Sequence, residues 1–191
     1  ILGMVVGDRS VIRYTLDGGD HWRILKLASG QTRTHKNLLA AWCNEAGVGL
    51  LGGEVDRLWS VNLSLGTYAN TGVSGTSGAG ISSIQDIYVD ALSGKGYAVG
   101  STSTTTGVAL HTTNAGVSFS ALSGASSHPG YSSIAPLWAS EGSTVMLGCE
   151  DGKMYLASGS GVSATGVNIT GSTGVGIADL VFTDAFTCYA V

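Results

Sequence analysis

A strand-like segment that recurs about every 47 residues constrains the fold more than any other feature of the chain. Four copies of a short apolar run end on Gly7, Gly53, Gly100 and Gly148, at separations of 46, 47 and 48 residues. The copies read GMVVG, GLLGG, GYAVG and TVMLG, and CYAV, at Cys188, begins another. A period this regular indicates that one supersecondary unit is stacked several times along the chain.

Each copy is the second strand in a predicted set of four. An apolar run such as IADLVFTDAF precedes the copy, a third strand such as GVALHTTN follows it, and a polar segment such as VSFSALSG closes the unit. Repeats of roughly 40 to 50 residues with four short strands are typical of β-propeller blades. No 3.6-residue period is sustained, which excludes an α-solenoid. We predict an all-β protein, a β-propeller of four-stranded blades of 46–48 residues.

The repeat predicts one propeller domain with about four blades, at roughly 1–46, 47–93, 94–142 and 143–191. The first residues match the second strand of a unit, and so do the last. Either these units are part of a larger ring, or the terminal strand completes the first blade. We favour the larger ring because AFTCYAV stops on a strand that elsewhere continues into glycine.

The stretch TLDGGDHW contains the most distinctive local motif. Thr15, Asp17, Gly19 and Trp22 fill the defining positions of the Asp-box, or BNR repeat, which this stretch therefore resembles, although His21 replaces the usual Thr or Ser. An Asp side chain can accept backbone N–H bonds and hold a tight turn, and glycine permits a conformation that a Cβ would oppose. We expect the aromatic ring to pack between sheets. The motif thus predicts a structural fastener at the turn between the third and fourth strands.

A second, weaker copy of the motif lies 97 residues further on, about two blades away. It keeps Thr112, Gly116 and an aromatic residue, Phe119, but has Asn114 in place of Asp. Together with the glycine-flanked strands, the two copies resemble the propellers of photosystem II assembly or stability factors and the BNR-like propellers of bacteria and phages. This resemblance implies the fold and, as one alternative function, the assembly of a membrane protein complex.

Enzymatic alternatives find little support in the sequence. Sialidases carry Asp-boxes and use a Tyr nucleophile. Members of that family also share an arginine triad and an Arg-Ile-Pro segment. That segment is missing here, and no facing pair of carboxylates stands out from the acidic residues expected in turns. A sialidase-like glycan hydrolase is therefore a minor alternative, and we predict no catalytic residue. The arginines, all in the first third of the chain, are Arg9, Arg13, Arg23, Arg33 and Arg57.

Composition argues against several other partner classes. The formal net charge is −4, from 9 basic and 13 acidic residues, so the basic stripe of a nucleic-acid binder is missing. No run of about 18 apolar residues suggests membrane insertion. The three cysteines and four histidines show no metal-ligand spacing, and we predict neither a metal nor a cofactor.

The segments between units are the best candidates for binding a partner. They are rich in small residues and should emerge together on one face of the ring, where loops on a rigid scaffold commonly bind. The first of them, ASGQTRTHKN, is basic because of Arg33, His35 and Lys36, and could dock an acidic surface. We expect a non-enzymatic structural or recognition module that binds a protein or glycan partner. This expectation is compatible with an oligomer. An extracellular, periplasmic, lumenal or virion surface is favoured.

Overall fold

The structure, a computed structural model, describes residues 1–32, 35–69, 80–102, 106–137, 140–169 and 175–191. Arg33 therefore lies outside the described residues. The described residues form five β-sheets that follow one another along the chain. The prediction of an all-β protein is confirmed, because the helical residues in these ranges are confined to two short 3₁₀ turns, Asp8–Ser10 and Ala125–Ser127.

The first sheet contains three antiparallel strands, whose spatial order is their order along the chain. The register pairs Gly3 with Thr15 and Gly7 with Val11, so the strands are joined by the Asp8–Ser10 turn. Its strands are β1 (Gly3–Gly7), β2 (Val11–Thr15) and β3 (Arg23–Ile24).

The second sheet is tied to the first by a single residue, Leu25, between β3 and the next strand. That next strand pairs in parallel with the outer strand of the second sheet, whereas the remaining four strands are antiparallel in chain order. Its strands are β4 (Lys26–Leu27), β5 (Leu38–Cys43), β6 (Val48–Gly53), β7 (Trp59–Asn62) and β8 (Thr67–Ala69).

The other three sheets repeat the antiparallel order. In the fourth sheet the outer position is shared, because two short strands pair with the same neighbour. The third sheet contains β9 (Ile81–Val89), β10 (Gly96–Thr102), β11 (Gly107–Thr112) and β12 (Ser120–Ala121). The fourth contains β13 (Tyr131–Pro136), β14 (Thr144–Cys149), β15 (Lys153–Ser158), β16 (Gly161–Val162) and β17 (Val167–Asn168), and the fifth β18 (Leu180–Phe182) and β19 (Cys188–Ala190).

The hydrophobic core lies between successive sheets rather than in one central cluster. Each sheet buries side chains against the next, so alternate residues of one strand belong to different clusters. Leu51 packs toward the first sheet, for example, while Leu50 packs toward the third. Representative members of the four successive clusters are Ile12 with Trp59, Leu50 with Leu110, Tyr97 with Tyr131, and Ala135 with Leu180.

The predicted units and the observed sheets are offset by one strand. Units 47–93 and 94–142 each run from the second strand of one sheet to the first strand of the next. Each unit therefore links two neighbouring sheets covalently. The number of blades in the ring stays a prediction.

One predicted equivalence between repeats is wrong by a residue. In the third repeat Val99 packs toward the following sheet and Gly100 lies so close to the Ser83 carbonyl that a Cβ there would collide with it. In the fourth repeat it is Gly148 that lies against the following sheet, beside Ile177. Residues of two repeats are equivalent when they lie on the same face of their sheets. Cys149, and not Gly148, is therefore the structural counterpart of Gly100.

Candidate functional site

The turn between β2 and β3 is closed by side-chain hydrogen bonds. The Thr15 hydroxyl donates to Asp17 Oδ1 at 2.7 Å, and its oxygen accepts the Gly19 N–H at 2.9 Å. Asp17 Oδ1 also accepts the His21 N–H at 3.0 Å, and the His21 ring nitrogen Nδ1 lies 2.8 Å from Asp17 Oδ2. The motif therefore holds the backbone of its own turn, and Gly19 has a φ of +106° that a side chain would oppose.

These contacts also determine the charge of the carboxyl group. The hydrogen bonds from the Thr15 hydroxyl, and from the backbone and ring of His21, hold the pKa of Asp17 far below its usual value of 3.8. Asp17 is consequently a carboxylate at neutral pH, and its oxygens act only as acceptors. A general acid would need the opposite shift, so this carboxyl group is suited to fastening the turn.

The turn between β11 and β12 repeats the same pattern. The Thr112 hydroxyl donates to Asn114 Oδ1 at 2.9 Å and accepts the Gly116 N–H at 3.2 Å. Asn114 Oδ1 also accepts the Ser118 N–H at 3.0 Å, and Asn114 Nδ2 donates to Ser118 Oγ at 2.8 Å. The amide oxygen of Asn114 thus replaces a carboxylate oxygen of Asp17, and Ser118 occupies the place of His21.

The aromatic residues of the two turns differ in burial. Phe119 is only 4% exposed and belongs to the cluster between the second and third sheets. Trp22 remains 44% exposed, near Gly3 and Gly19 of its own sheet. The prediction that the aromatic ring packs between two sheets is therefore right for Phe119 and wrong for Trp22, because the face of the first sheet that carries Trp22 has no neighbouring sheet among the described residues.

The basic segment before β5 is attached to the first sheet. His35 and Lys36 are exposed, and the Lys36 carbonyl accepts hydrogen bonds from the Ser10 N–H at 2.6 Å and the Ser10 hydroxyl at 3.1 Å. The Arg9 N–H donates to Asn37 Oδ1 at 3.1 Å. The structure therefore brings Lys36 beside the Asp8–Ser10 turn and leaves the adjacent His35 exposed, whereas Arg33 lies outside the described residues.

A groove of about 320 Å³, here called the β2–β4 groove, opens next to this segment where the first and second sheets diverge. Two cations that the sequence analysis did not single out as a pair, Arg13 and Lys26, line it together. The two residues are 13 positions apart, and nothing in the sequence indicates that they are neighbours, because only the passage of the chain from one sheet to the next brings them together. The groove is lined by Ser10, Val11, Ile12, Arg13, Ile24, Leu25, Lys26, Leu27 and Tyr68.

The buried titratable groups outside the two turns and the groove are packed into the protein core. The rings of His128 and Tyr155 pack at 4.0 Å between centroids with their planes tilted by 35°, and the Tyr155 hydroxyl donates to Asp151 at 2.8 Å. Burial raises the pKa of Cys149 to about 12, so this thiol stays protonated and is a poor nucleophile. Among the residues that the structure describes, no three His, Cys, Asp or Glu side chains are arranged to hold a metal ion.

The described part of the chain contains no helix long and apolar enough to cross a bilayer.

Comparison with known proteins identifies the fold. No protein-family model matches the sequence, and no curated protein sequence matches it significantly. Among solved structures, YCF48 from Cyanidioschyzon merolae is similar with a TM-score of 0.62 and 16% identity, over 99% of this chain and 62% of that one. YCF48 bound to D1 peptide is similar with a TM-score of 0.64 and 17% identity, over 95% of this chain and 56% of that one.

A computationally designed protein, Ika8, shows the same likeness with a TM-score of 0.58 and 12% identity, over 96% of this chain and 52% of its own. The present chain spans less than two thirds of the length of each YCF48 chain. At these identities the likeness concerns the fold alone. With its stacked antiparallel sheets and its propeller neighbours, the chain has an all-β, β-propeller fold.

Proposed function

We propose that this chain is a non-enzymatic β-propeller module that binds a protein partner through the exposed cationic surface of its first sheet and of the adjoining segment. The observation that carries the proposal is the position of Lys36. Its side chain is exposed next to the exposed His35, and its carbonyl accepts hydrogen bonds from Ser10 in the turn between β1 and β2. Ser10 also lines the groove that presents Arg13 and Lys26. Cationic side chains gathered on a rigid scaffold favour an acidic partner surface and speed its association.

The two Thr-x-Asp/Asn-x-Gly turns support the non-enzymatic part of the proposal. We infer that they are Asp-box fasteners, with Thr15, Asp17, Gly19 and Trp22 in one and Thr112, Asn114, Gly116 and Phe119 in the other. Their polar side chains use their hydrogen bonds within the turn, which leaves Asp17 ionised and bonded rather than available for proton transfer. A fluorogenic sialoside should not be turned over, and turnover abolished by Arg13→Gln would instead favour the sialidase alternative.

The test of partner binding compares matched charge removals. Covalent crosslinking in an extract of the natural source identifies the partner, and its affinity for purified protein is then measured with Lys36→Gln and Lys153→Gln variants. Both substitutions remove one positive charge. Lys36 is exposed, whereas Lys153 lies in the fourth sheet, is half-buried and has its Nζ 3.5 Å from Asp151 Oδ2. We expect weaker binding only for Lys36→Gln. Equal affinities in both variants and the unchanged protein would refute a role for the cationic surface.

A membrane-complex assembly factor is the second candidate, because one solved structure with this fold is YCF48 bound to D1 peptide. It predicts that the crosslinked partner is a membrane protein. A glycan partner, or a place on a virion or another outer surface, finds its support in the low charge and Gly/Ser/Thr-rich loops, and predicts capture by a glycan array or by particles instead.

A further inference from the structure

The β2–β4 groove exists because two strands part. β3 pairs with β2 only at Ile24–Arg13 and Arg23–Tyr14, and the Leu25 N–H then donates to the Ile12 carbonyl at 3.2 Å. One residue later the chain leaves β2 and pairs with β8 instead. The space between β2 and β4 is therefore bounded by two extended strands rather than by flexible loops.

The floor and the rim of the groove differ in chemistry. Ile12, Leu25 and Tyr68 are buried at its floor, whereas Arg13 and Lys26 are exposed at its rim. The lining contains no acidic residue, and no ion pair involving either cation occurs within the described ranges. Two exposed apolar side chains, Val11 at 50% and Ile24 at 61%, also line the groove.

The backbone of β4 adds directional hydrogen-bonding groups. The Lys26 N–H donates to the Gly66 carbonyl at 2.9 Å and the Ala28 N–H to the Tyr68 carbonyl at 2.8 Å, so both point toward β8. Successive residues of a strand direct their N–H and C=O groups to opposite sides, and those of Leu27, which lines the groove, consequently point away from β8. A partner strand that enters the groove can pair with them.

We propose that the β2–β4 groove binds an extended, acidic segment of a protein partner, in which carboxylates alternate with aliphatic side chains. The inference rests on the proposed function and specifies its partner. Alternation places the carboxylates on one side of the segment, toward Arg13 and Lys26, and the aliphatic groups on the other side, toward the apolar floor. A nucleic acid fits less well. Two cations neutralise few phosphates, the floor of the groove is apolar, and the protein has a formal net charge of −4.

Fluorescence anisotropy with a labelled heptapeptide that alternates Glu with Leu or Val tests the inference on the complete 191-residue chain. The same peptide with Gln in place of Glu and a labelled dT heptamer are the competing probes. Arg13→Gln and Lys26→Gln are the test variants, and Lys153→Gln, which removes one positive charge from the fourth sheet, is the control. Far-UV circular dichroism establishes that the variants are folded.

We expect the Glu peptide to bind more tightly than either competing probe, and each test variant to weaken it about twofold to fivefold, as for solvent-accessible ion pairs. The Lys153→Gln variant should bind like the unchanged protein. An equal affinity for the Glu and Gln peptides, tighter binding of the dT heptamer, or an equal loss in the Lys153→Gln variant would overturn the inference.

The two proposals fail in different ways. If the peptide does not bind but Lys36→Gln still weakens the natural partner, the groove assignment is wrong and the proposed function stands. If neither the peptide nor the partner responds to any of these charge removals, both are wrong.

Discussion

Truncation of the two equivalent aromatic residues, Phe119 and Trp22, tests how the sheets adhere to one another. Phe119 is 4% exposed between the second and third sheets, so Phe119→Ala removes nearly a whole buried ring and leaves a cavity, at a cost of about 3–5 kcal/mol. Trp22 is 44% exposed, so only about half of its ring area is lost from contact, and Trp22→Ala should cost about 2 kcal/mol.

Urea unfolding followed by far-UV circular dichroism measures both costs. With a denaturant slope of roughly 2–3 kcal/mol per M, the expected midpoint shift is about 1.5 M for Phe119→Ala and about half of that for Trp22→Ala. Val117→Ala is the control, since Val117 lies in the same turn as Phe119 but is 69% exposed, and its effect should stay within about 0.5 kcal/mol. Equal losses for the two aromatic residues would refute the assignment of their different burial.

Three further predictions follow from individual contacts. Gly18→Ala should lower the free energy of unfolding by about 1 kcal/mol, because φ at Gly18 is +81° although a Cβ there would meet no other atom. Gly116→Ala should lower the unfolding midpoint further, because φ is +82° and the new Cβ would also lie 2.7 Å from a buried leucine side chain. Tyr97→Phe should lower the free energy of unfolding by about 1 kcal/mol, measured by the same assay, since the Tyr97 hydroxyl donates to a backbone carbonyl at 2.8 Å. In a ¹³C NMR titration, Asp17 should ionise below 3.8, because of its hydrogen bonds, and Asp86 above it, because of burial. Asp17 then stabilises the fold above pH ~4 and loses this effect as the pH falls through its folded pKa, whereas the contribution of Asp86 declines as the pH rises through and above ~4.

The period and the turn motifs could be predicted because their causes are local. The GMVVG-type runs are short, continuously apolar and bounded by glycine, which predicts buried strands, and the turn residues determine where a strand ends. The hydrogen bonds of Thr15 with Asp17 and Gly19, and those of Thr112 with Asn114 and Gly116, span at most four residues. Such contacts depend on residue type and spacing, which a sequence displays directly.

Burial and surface chemistry could not be predicted, because they depend on what packs beyond each sheet. Trp22 and Phe119 occupy equivalent positions, yet only the face that carries Phe119 meets a neighbouring sheet in the described structure. Likewise, the repeat pattern equated Gly100 with Gly148, although the sheet faces equate Gly100 with Cys149.

The sequence by itself thus determined the all-β class, the four-stranded repeat and the two turns that are closed by side-chain hydrogen bonds. Only the tertiary structure decided that β4 would leave the first sheet to pair in parallel with β8, and that Arg13 and Lys26 would share a groove as a result. The physical reason is that strand and turn preferences act over a few residues, whereas the choice of a pairing partner depends on the apolar area that whole sheets bury against each other.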